Sequence, residues 1–476
     1  MAPLSRCCRW LTALLSIAGA SALSNTPRAA WPNGPFVTSD RWIQDATGSN
    51  VAYVGVNWPG SLETMIPEGL QYQSIASIVS RVKSVGMNAI RLTYATEMID
   101  QYYDNGEADI PIQRALTDAL GQEAGRAVHD RITANNPSFN ADTTRLQVYD
   151  AIAAECARQE IYVHLDNHIS RAGWCCSPLD GNSWWGDTYF NVDNWLRGLS
   201  FMATHGRAWP NLMSMSLRNE LRTPFNNATL ARASYNWEHW YTYIRRGADA
   251  VHAANPDVLV FLSGLNSDQD LSPVVNGTAL TPGSATFNRD DFVGYANKLV
   301  LELHAYDNIA GPGPSDCAAV GDKLFDAGFK ALTSSAANQY PVVLTEFGLV
   351  QDGAATQDPY ISCLLEYVST RNAGWMIWQL GGSYYIREGT PDRDETWGLL
   401  THDWSDWRSP EFVNSSLTPA VKSTLTPSDN PDENRDLSDD QSEGATTRPA
   451  LASGLYGLPP LLYVAILTVG LVTIFG

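Results

Sequence analysis

Short apolar runs alternate with segments of helical spacing along most of the chain. The first run covers 51–58 and is closed by Pro59 and Gly60. Ile75, Ile78, Val79, Val82 and Val85 then share one face of a helix predicted over 74–85, with Gly86 as its stop. A second strand is predicted over 88–94, with Arg91 inside it, and a third over 161–168. The fourth starts at Leu212 and halts abruptly at Asn219 and Glu220. Further strands are expected over 258–264, 298–306, 341–346 and 374–380, separated by helical patterns near 142–156, 195–204, 234–254, 320–337 and 359–370.

Eight strands with intervening helices predict the α/β class, as a (β/α)8 TIM barrel with loop insertions. An open doubly wound sheet is the competing architecture, but no Gly-rich phosphate loop follows the first strand. The stretch 95–140 is expected to be a long connection with one short helix near 112–120. It is a candidate cover for one end of a cleft, which favours exo-action or a short substrate.

All strands of such a barrel end on one rim, where catalytic groups gather. The expected ends bring Arg91, His168, Asn219, Glu220, His304, Tyr306, Glu346 and Trp378 together. Two strand-terminal glutamates, far apart in sequence, are the equipment for hydrolysing a glycosidic bond. One carboxyl must keep a proton and the other stay ionised. Arg91 and Tyr306 are the groups that could hold Glu346 as the anion, which in turn favours the proton on Glu220. Asn219 is placed to bind a sugar 2-hydroxyl, provided the strand is already breaking into a loop there, since adjacent strand residues face opposite ways. His168 and His304 would line the subsite and Trp378 would floor it. Trp58, Tyr94, Trp174, Trp184 and Trp185 lie in or beside rim loops and are candidate sugar-stacking aromatics.

Composition narrows the partners. The chain has 476 residues, 44% of them hydrophobic, and a formal charge of −20. That charge argues against binding nucleic acid or an anionic membrane through a basic surface. Residues 1–23 read as a signal peptide, with Arg6 and Arg9 ahead of an apolar stretch. Asn227, Asn276 and Asn414 head N-glycosylation triplets. Cys156, Cys175, Cys176, Cys317 and Cys363 remain after the signal, so two disulfides and one odd thiol are expected. Cys317 with Cys363 is the preferred pair, and either of Cys175 and Cys176 is a candidate to bridge Cys156. Their spacing does not fit a zinc site, and no metal or cofactor is expected.

The catalytic domain is expected over 24–412, followed by an acidic Ser/Asp/Pro-rich linker over 413–450. The apolar segment 451–476 has no basic flank and reads as a GPI-attachment signal, with Gly444 or Ser442 as attachment candidates. A membrane-spanning helix is the alternative.

The motif around Asn219 and Glu220 and the one around Glu346, supported by Arg91, His168, His304, Tyr306 and Trp378, resemble glycoside hydrolase family 5, the cellulase family A. The resemblance covers 31–410 and includes the segment 397–404, which is similar to the family's closing segment. The Trp174-Cys175-Cys176 loop is similar to that of a fungal and plant branch. Membership implies Glu220 as general acid/base and Glu346 as nucleophile. Many members have Pro after the acid, whereas this chain has Leu221, so substrate choice does not carry over.

The expectation is a secreted, monomeric, surface-tethered retaining β-glycosidase acting on a β-glucan or related polysaccharide. The alternatives are an exo-acting β-glucosidase, diglycosidase or glycolipid glycosidase, and, outside enzymes, an inactive carbohydrate-binding wall protein.

Overall fold

The computed structural model describes residues 31–306, 316–355 and 358–426. Eight parallel strands close into a barrel: β1 Val54–Trp58, β2 Ala89–Ala95, β3 Tyr162–Ile169, β4 Leu212–Ser216, β5 Leu259–Ser263, β6 Leu299–His304, β7 Val342–Glu346 and β8 Gly374–Ile377. Each pairs with the next, and β8 returns to β1 with Trp375 opposite Val54 and Ile377 opposite Val56. The expected (β/α)8 architecture is therefore the observed one.

The helices form for reasons visible in the chain. In the first, Ile75–Ser84, Ser74 caps the start by accepting from the Ser77 amide, and Ile75, Ile78, Val79 and Val82 are buried. Gly86 ends it at a φ of 86°, which a residue with a Cβ rarely adopts.

Below the barrel, a three-stranded antiparallel sheet (Val37–Ser39, Trp42–Gln44, Asn50–Val51) closes the N-terminal mouth. Phe36 and Ile43 join Tyr53, Ala89, Tyr162, Met213, Phe261, Val300, Val343 and Met376 in an apolar plug. Above that plug the inward positions turn polar. Along β3 the alternate residues His164, Asp166 and His168 are all buried, as are Arg91 on β2 and Glu302 and His304 on β6. An apolar floor under a polar layer leaves the chemistry at the strand C-termini.

Three expectations change. The stretch 95–140 is not an open connection with one helix but carries three: Thr96–Asp104, Ile112–Leu120 and Gln122–Asn135. Their apolar spacing was diluted by polar residues, and the second and third begin without a side-chain cap. The helix expected over 320–337 is Cys317–Ala327, followed after Gly328 by a 3-10 turn, Phe329–Leu332. The linker does not begin at 413. Helix continues through Val413–Leu417 and Thr418–Leu425, and Val413, Leu417 and Val421 are buried. The Trp375 Nε1 donates to Thr424 Oγ1 at 3.0 Å, so this segment is part of the barrel's packing.

The expected signal peptide and the segments 427–450 and 451–476 lie outside the described residues. Among the described residues, no helix is long and apolar enough to cross a membrane.

A chain ended after Thr426 keeps every described residue of this packing. One ended after Phe412 should lose several kcal/mol, because each large apolar side chain removed from the core contributes about 1.5–3 kcal/mol. Calorimetry of the two truncations tests this; equal melting temperatures would assign Val413–Leu425 no packing role.

Candidate active site

Arg91 sits at the centre of the polar layer, fully buried. β2 carries it inward opposite Asn57 of β1 and His164 of β3. Its Nη1 donates to Glu346 Oε1 at 2.5 Å and to Asn57 Oδ1 at 2.9 Å. Its Nη2 donates to Asn219 Oδ1 at 2.9 Å and pairs with Asp166 at 3.0 Å and Glu302 at 3.3 Å. The guanidinium fork thus holds three carboxylates and two amides in fixed directions. Glu302 is braced by Ser216 Oγ at 2.6 Å and Thr345 Oγ1 at 2.7 Å, and Ser216 also shares a hydrogen bond with His164 at 2.7 Å.

Glu346 ends β7 and lies opposite His304 of β6, with a register shift after Leu344. Its other oxygen, Oε2, accepts from the Tyr306 hydroxyl at 3.1 Å. Burial and the two neighbouring carboxylates, Glu346 and Glu220, push the Tyr306 phenol well above its ordinary pKa, so it donates.

Glu220 reaches the same space by another route. β4 stops at Ser216, four residues earlier, and Glu220 has a φ of 47°. That left-handed backbone costs a residue with a Cβ about 1–2 kcal/mol. Its own amide donates to Asp268 Oδ2 at 2.7 Å, and Arg222 Nη1 donates to its carbonyl at 2.8 Å. The expected break of strand into loop is therefore real, and it lets Asn219 and Glu220 face one cavity.

His304 Nδ1 lies 3.2 Å from Glu220 Oε1 and 3.7 Å from Glu346 Oε2. Burial lowers the His304 pKa to about 4, so the ring is neutral near pH 7 and bridges the two glutamates without adding charge. Burial also raises the Glu220 carboxyl above its ordinary range, against the pull of Arg222, His168 and Arg91. Asp268 and Glu302 are raised as well, burial first, whereas Asp166 is lowered because Arg91 and His168 outweigh its burial. Arg91 contacts three of these five acids, and burial still raises Glu302, one of the three.

The cavity above this pair is about 300 Å3 and is lined by His168, Trp174, Cys175, Cys176, Asn219, Glu220, Tyr306, Glu346, Trp378, Arg387, Glu395 and Trp397. His168 is held by Asp166 at 2.7 Å and lies parallel to Trp378, ring centroids 5.4 Å apart. Of the expected sugar-stacking aromatics only Trp174 lines it, covered by the Arg387 guanidinium at 3.3 Å. Trp58, Tyr94, Trp184 and Trp185 are instead core residues, each 1% exposed or less. Trp58 and Tyr94 belong to strands β1 and β2, and the loop carrying Trp184 and Trp185 packs them against Tyr235, Trp195 and Tyr243.

Arg387, Glu395, Asp268 and Glu302 were not expected. Arg387 and Glu395 pair at 2.9 Å from a segment beyond the last strand. Asp268 lies in the turn after β5, where no strand pattern marks it. Glu302, by contrast, could have been found from the alternation Val300, Glu302, His304. The helices within 95–140 line a neighbouring cleft that includes Glu97, Gln101, Arg114 and Arg145, not the catalytic cavity.

The cysteine pairing also needs correction. Cys317 and Cys363 are bonded as expected, but Cys175 bonds Cys176 and Cys156 is a buried free thiol. Cys156 lies on the apolar face of Arg145–Arg158, packed into the core, which keeps it from the loop. Of the glycosylation candidates, Asn276 and Asn414 are exposed, while Asn227 is half-buried and caps Ala228–Ser234. Ligand-type atoms converge within 4.8 Å in two groups, Glu220 with His304 and Glu346, and Glu220 with Cys175 and Cys176. In the first, Arg91 already occupies Glu346; in the second, the sulfurs are joined to each other.

Comparison with known proteins agrees with this fold. The family model described as cellulase (glycosyl hydrolase family 5) matches residues 44–383. A glycosyl hydrolase 5 family protein of Chamaecyparis obtusa is 36% identical over 394 residues, which are 80% of this chain and 65% of that relative. The chain thus spans just under two thirds of that relative's length. An endoglucanase of Paenibacillus polymyxa is 24% identical, covering 83% of this chain and 89% of its own. A cellotetraose complex of an endocellulase from Pyrococcus horikoshii superposes with a TM-score of 0.60 at 17% identity, over 83% of this chain and 99% of that one.

The Glu220 shift has a consequence for stability. Its folded pKa lies above its unfolded one, near 4.3. The burial penalty is therefore absent below about pH 4 and grows as pH rises through the folded value. Glu220→Gln should raise the melting temperature at pH 7 by about 1–3 °C and leave it unchanged near pH 4. An equal change at both pH values, by calorimetry, would remove the buried charge as the cause.

Proposed function

The chain belongs to glycosyl hydrolase family 5, and from that premise we propose that it is a retaining β-glycosidase cleaving a β-linked glucan or related glycan by double displacement. The observation that carries this reading is the closeness of the pair. A carboxylate oxygen of Glu220 and one of Glu346 lie within 4.8 Å of each other, with His304 between them. Retaining enzymes hold their carboxyls about 5–5.5 Å apart, and inverting ones about 6.5–9.5 Å to admit a water.

In this reading the two glutamates divide the work by their surroundings. Glu346, with Arg91 on one oxygen and Tyr306 on the other, attacks the anomeric carbon as the carboxylate. Glu220, whose proton burial favours, gives it to the leaving glycosidic oxygen. The bond to the leaving group breaks as the ester to Glu346 forms. Glu220, now ionised, takes a proton from water, and that water displaces Glu346 with the original configuration restored. His304 stays neutral and keeps both side chains in place. Trp378 offers its ring to the sugar, and Asn219 its amide to the 2-hydroxyl.

The relatives named as endoglucanase and endocellulase support a β-glucan. A second reading, exo-action on a short β-glycoside or diglycoside, is favoured by the cavity itself. It is about 300 Å3, and the Trp174–Arg387 stack walls one side. A secreted location is supported by the two disulfides, which persist in oxidising compartments.

Glu346→Gln is expected to lower kcat on 4-nitrophenyl β-cellobioside by about 10^4-fold or more while leaving the melting curve folded and cooperative. Early product from cellotetraose, followed by proton NMR, should appear as the β anomer. Full activity in the variant, or the α anomer first, would contradict the mechanism. Carboxymethylcellulose viscosity separates the two substrate readings: a rapid fall supports internal cleavage, and sugar release without it supports exo-action.

A further inference from the structure

The side-chain amide of Asn219 is gripped through its oxygen and flanked by sulfur at its nitrogen. Its Oδ1 accepts from Arg91 Nη2 at 2.9 Å, and its backbone amide donates to the Asn167 carbonyl at 3.0 Å. Its Nδ2 meets the two bonded sulfurs, Cys175 Sγ at 3.6 Å and Cys176 Sγ at 3.4 Å. The residue is 1% exposed, and the sulfurs form the cavity wall beside it and Glu220. Divalent sulfur is a weak acceptor. An N–H aimed at it keeps most of its donating strength, which a hydroxyl or carbonyl in the same place would consume.

Resting on the reading given above, we propose that the Cys175–Cys176 disulfide is a positioning element for the reaction. It fixes the direction of the Asn219 amide without competing for its proton, so that the amide donates at full strength to the 2-hydroxyl of the sugar under attack. Joining two neighbouring residues through sulfur removes the rotational freedom of both side chains, and a wall that cannot turn preserves the amide's aim. The hydrogen bond to the 2-hydroxyl strengthens in the transition state, so the gain is in the chemical step. Two free thiols would lose this property, because each could rotate away from the amide or turn toward Glu220.

Two routes test the inference on folded protein. In the first, Cys175→Ser/Cys176→Ser, which offers Asn219 competent acceptors, and Cys175→Ala/Cys176→Ala, which removes the wall, are compared with the wild type. The probes are 4-nitrophenyl β-cellobioside and its analogue lacking the 2-hydroxyl on the ring that is attacked. The first probe should lose about 10- to 100-fold in kcat/KM, most of it in kcat, and the 2-deoxy probe less than about 3-fold. In the second route, a dithiol such as dithiothreitol passes two electrons and two protons to the sulfur pair, leaving two thiols and its own cyclic disulfide. Wild-type activity on the first probe should fall about 10-fold or more and return on reoxidation. The alanine variant, which retains Cys317 and Cys363, should show no such fall.

Equal losses on both probes would show a merely structural role and overturn the inference, as would undiminished activity in both variants or a dithiol effect that persists in the alanine variant. Failure of the functional reading looks different: the oxidised wild type would hydrolyse neither probe.

Discussion

A guanidinium with no exposed surface is the constraint on which the rest of the site depends. Charge taken out of water must be matched, and breaking such a group's pairing costs about 3–5 kcal/mol. Arg91 meets this with Asp166, Glu302 and Glu346, all within 3.3 Å. The same contacts sort the acids. Glu346 receives the guanidinium directly, whereas Glu220 meets His304, which is neutral near pH 7. Two glutamates with the same chemistry are thereby given different surroundings, which is what an acid and a nucleophile require. The barrel's contribution is to bring strands β1, β2, β3, β6 and β7 to one level so that their inward positions converge on that cation.

Much of this was legible in the chain because a strand has a period of two. His168, His304 and Glu346 each stand at or near the end of an apolar run, Arg91 lies inside one, and a parallel barrel puts all those ends on one rim. Eight such runs, separated by helical spacing, were enough to expect the architecture. The Asn219–Glu220 pair was readable too, since both could face the cavity only where the strand had ended, and β4 does end at Ser216.

What stayed hidden depends on contacts that no periodicity encodes. Asp268 acts through the backbone amide of Glu220, from a turn with left-handed residues at Asn266, Ser267 and Asp268. Arg387 and Glu395 come from beyond the eighth strand and enter the cavity because that segment folds back over the rim. Aromatics misled in the other direction. Trp184 and Trp185 lie in a loop rich in Gly, Asn and Ser, yet they pack edge to face at 4.7 Å and bury completely. Loop composition reports solvent exposure on average, and a tryptophan pair within it can still join the main core. Counting cysteines likewise could not tell that neighbours would bond each other.

The central claim is that the carboxylate gripped by Arg91 is the one that attacks sugar. Its most direct test is to trap the intermediate with an activated 2-fluoro β-cellobioside, whose glycosyl ester turns over slowly, and to locate the label by peptide mass spectrometry. The account predicts one label per chain, on the peptide carrying Glu346, and none in Glu346→Gln. A label on Glu220, Asp166, Glu302 or Asp268 would contradict it.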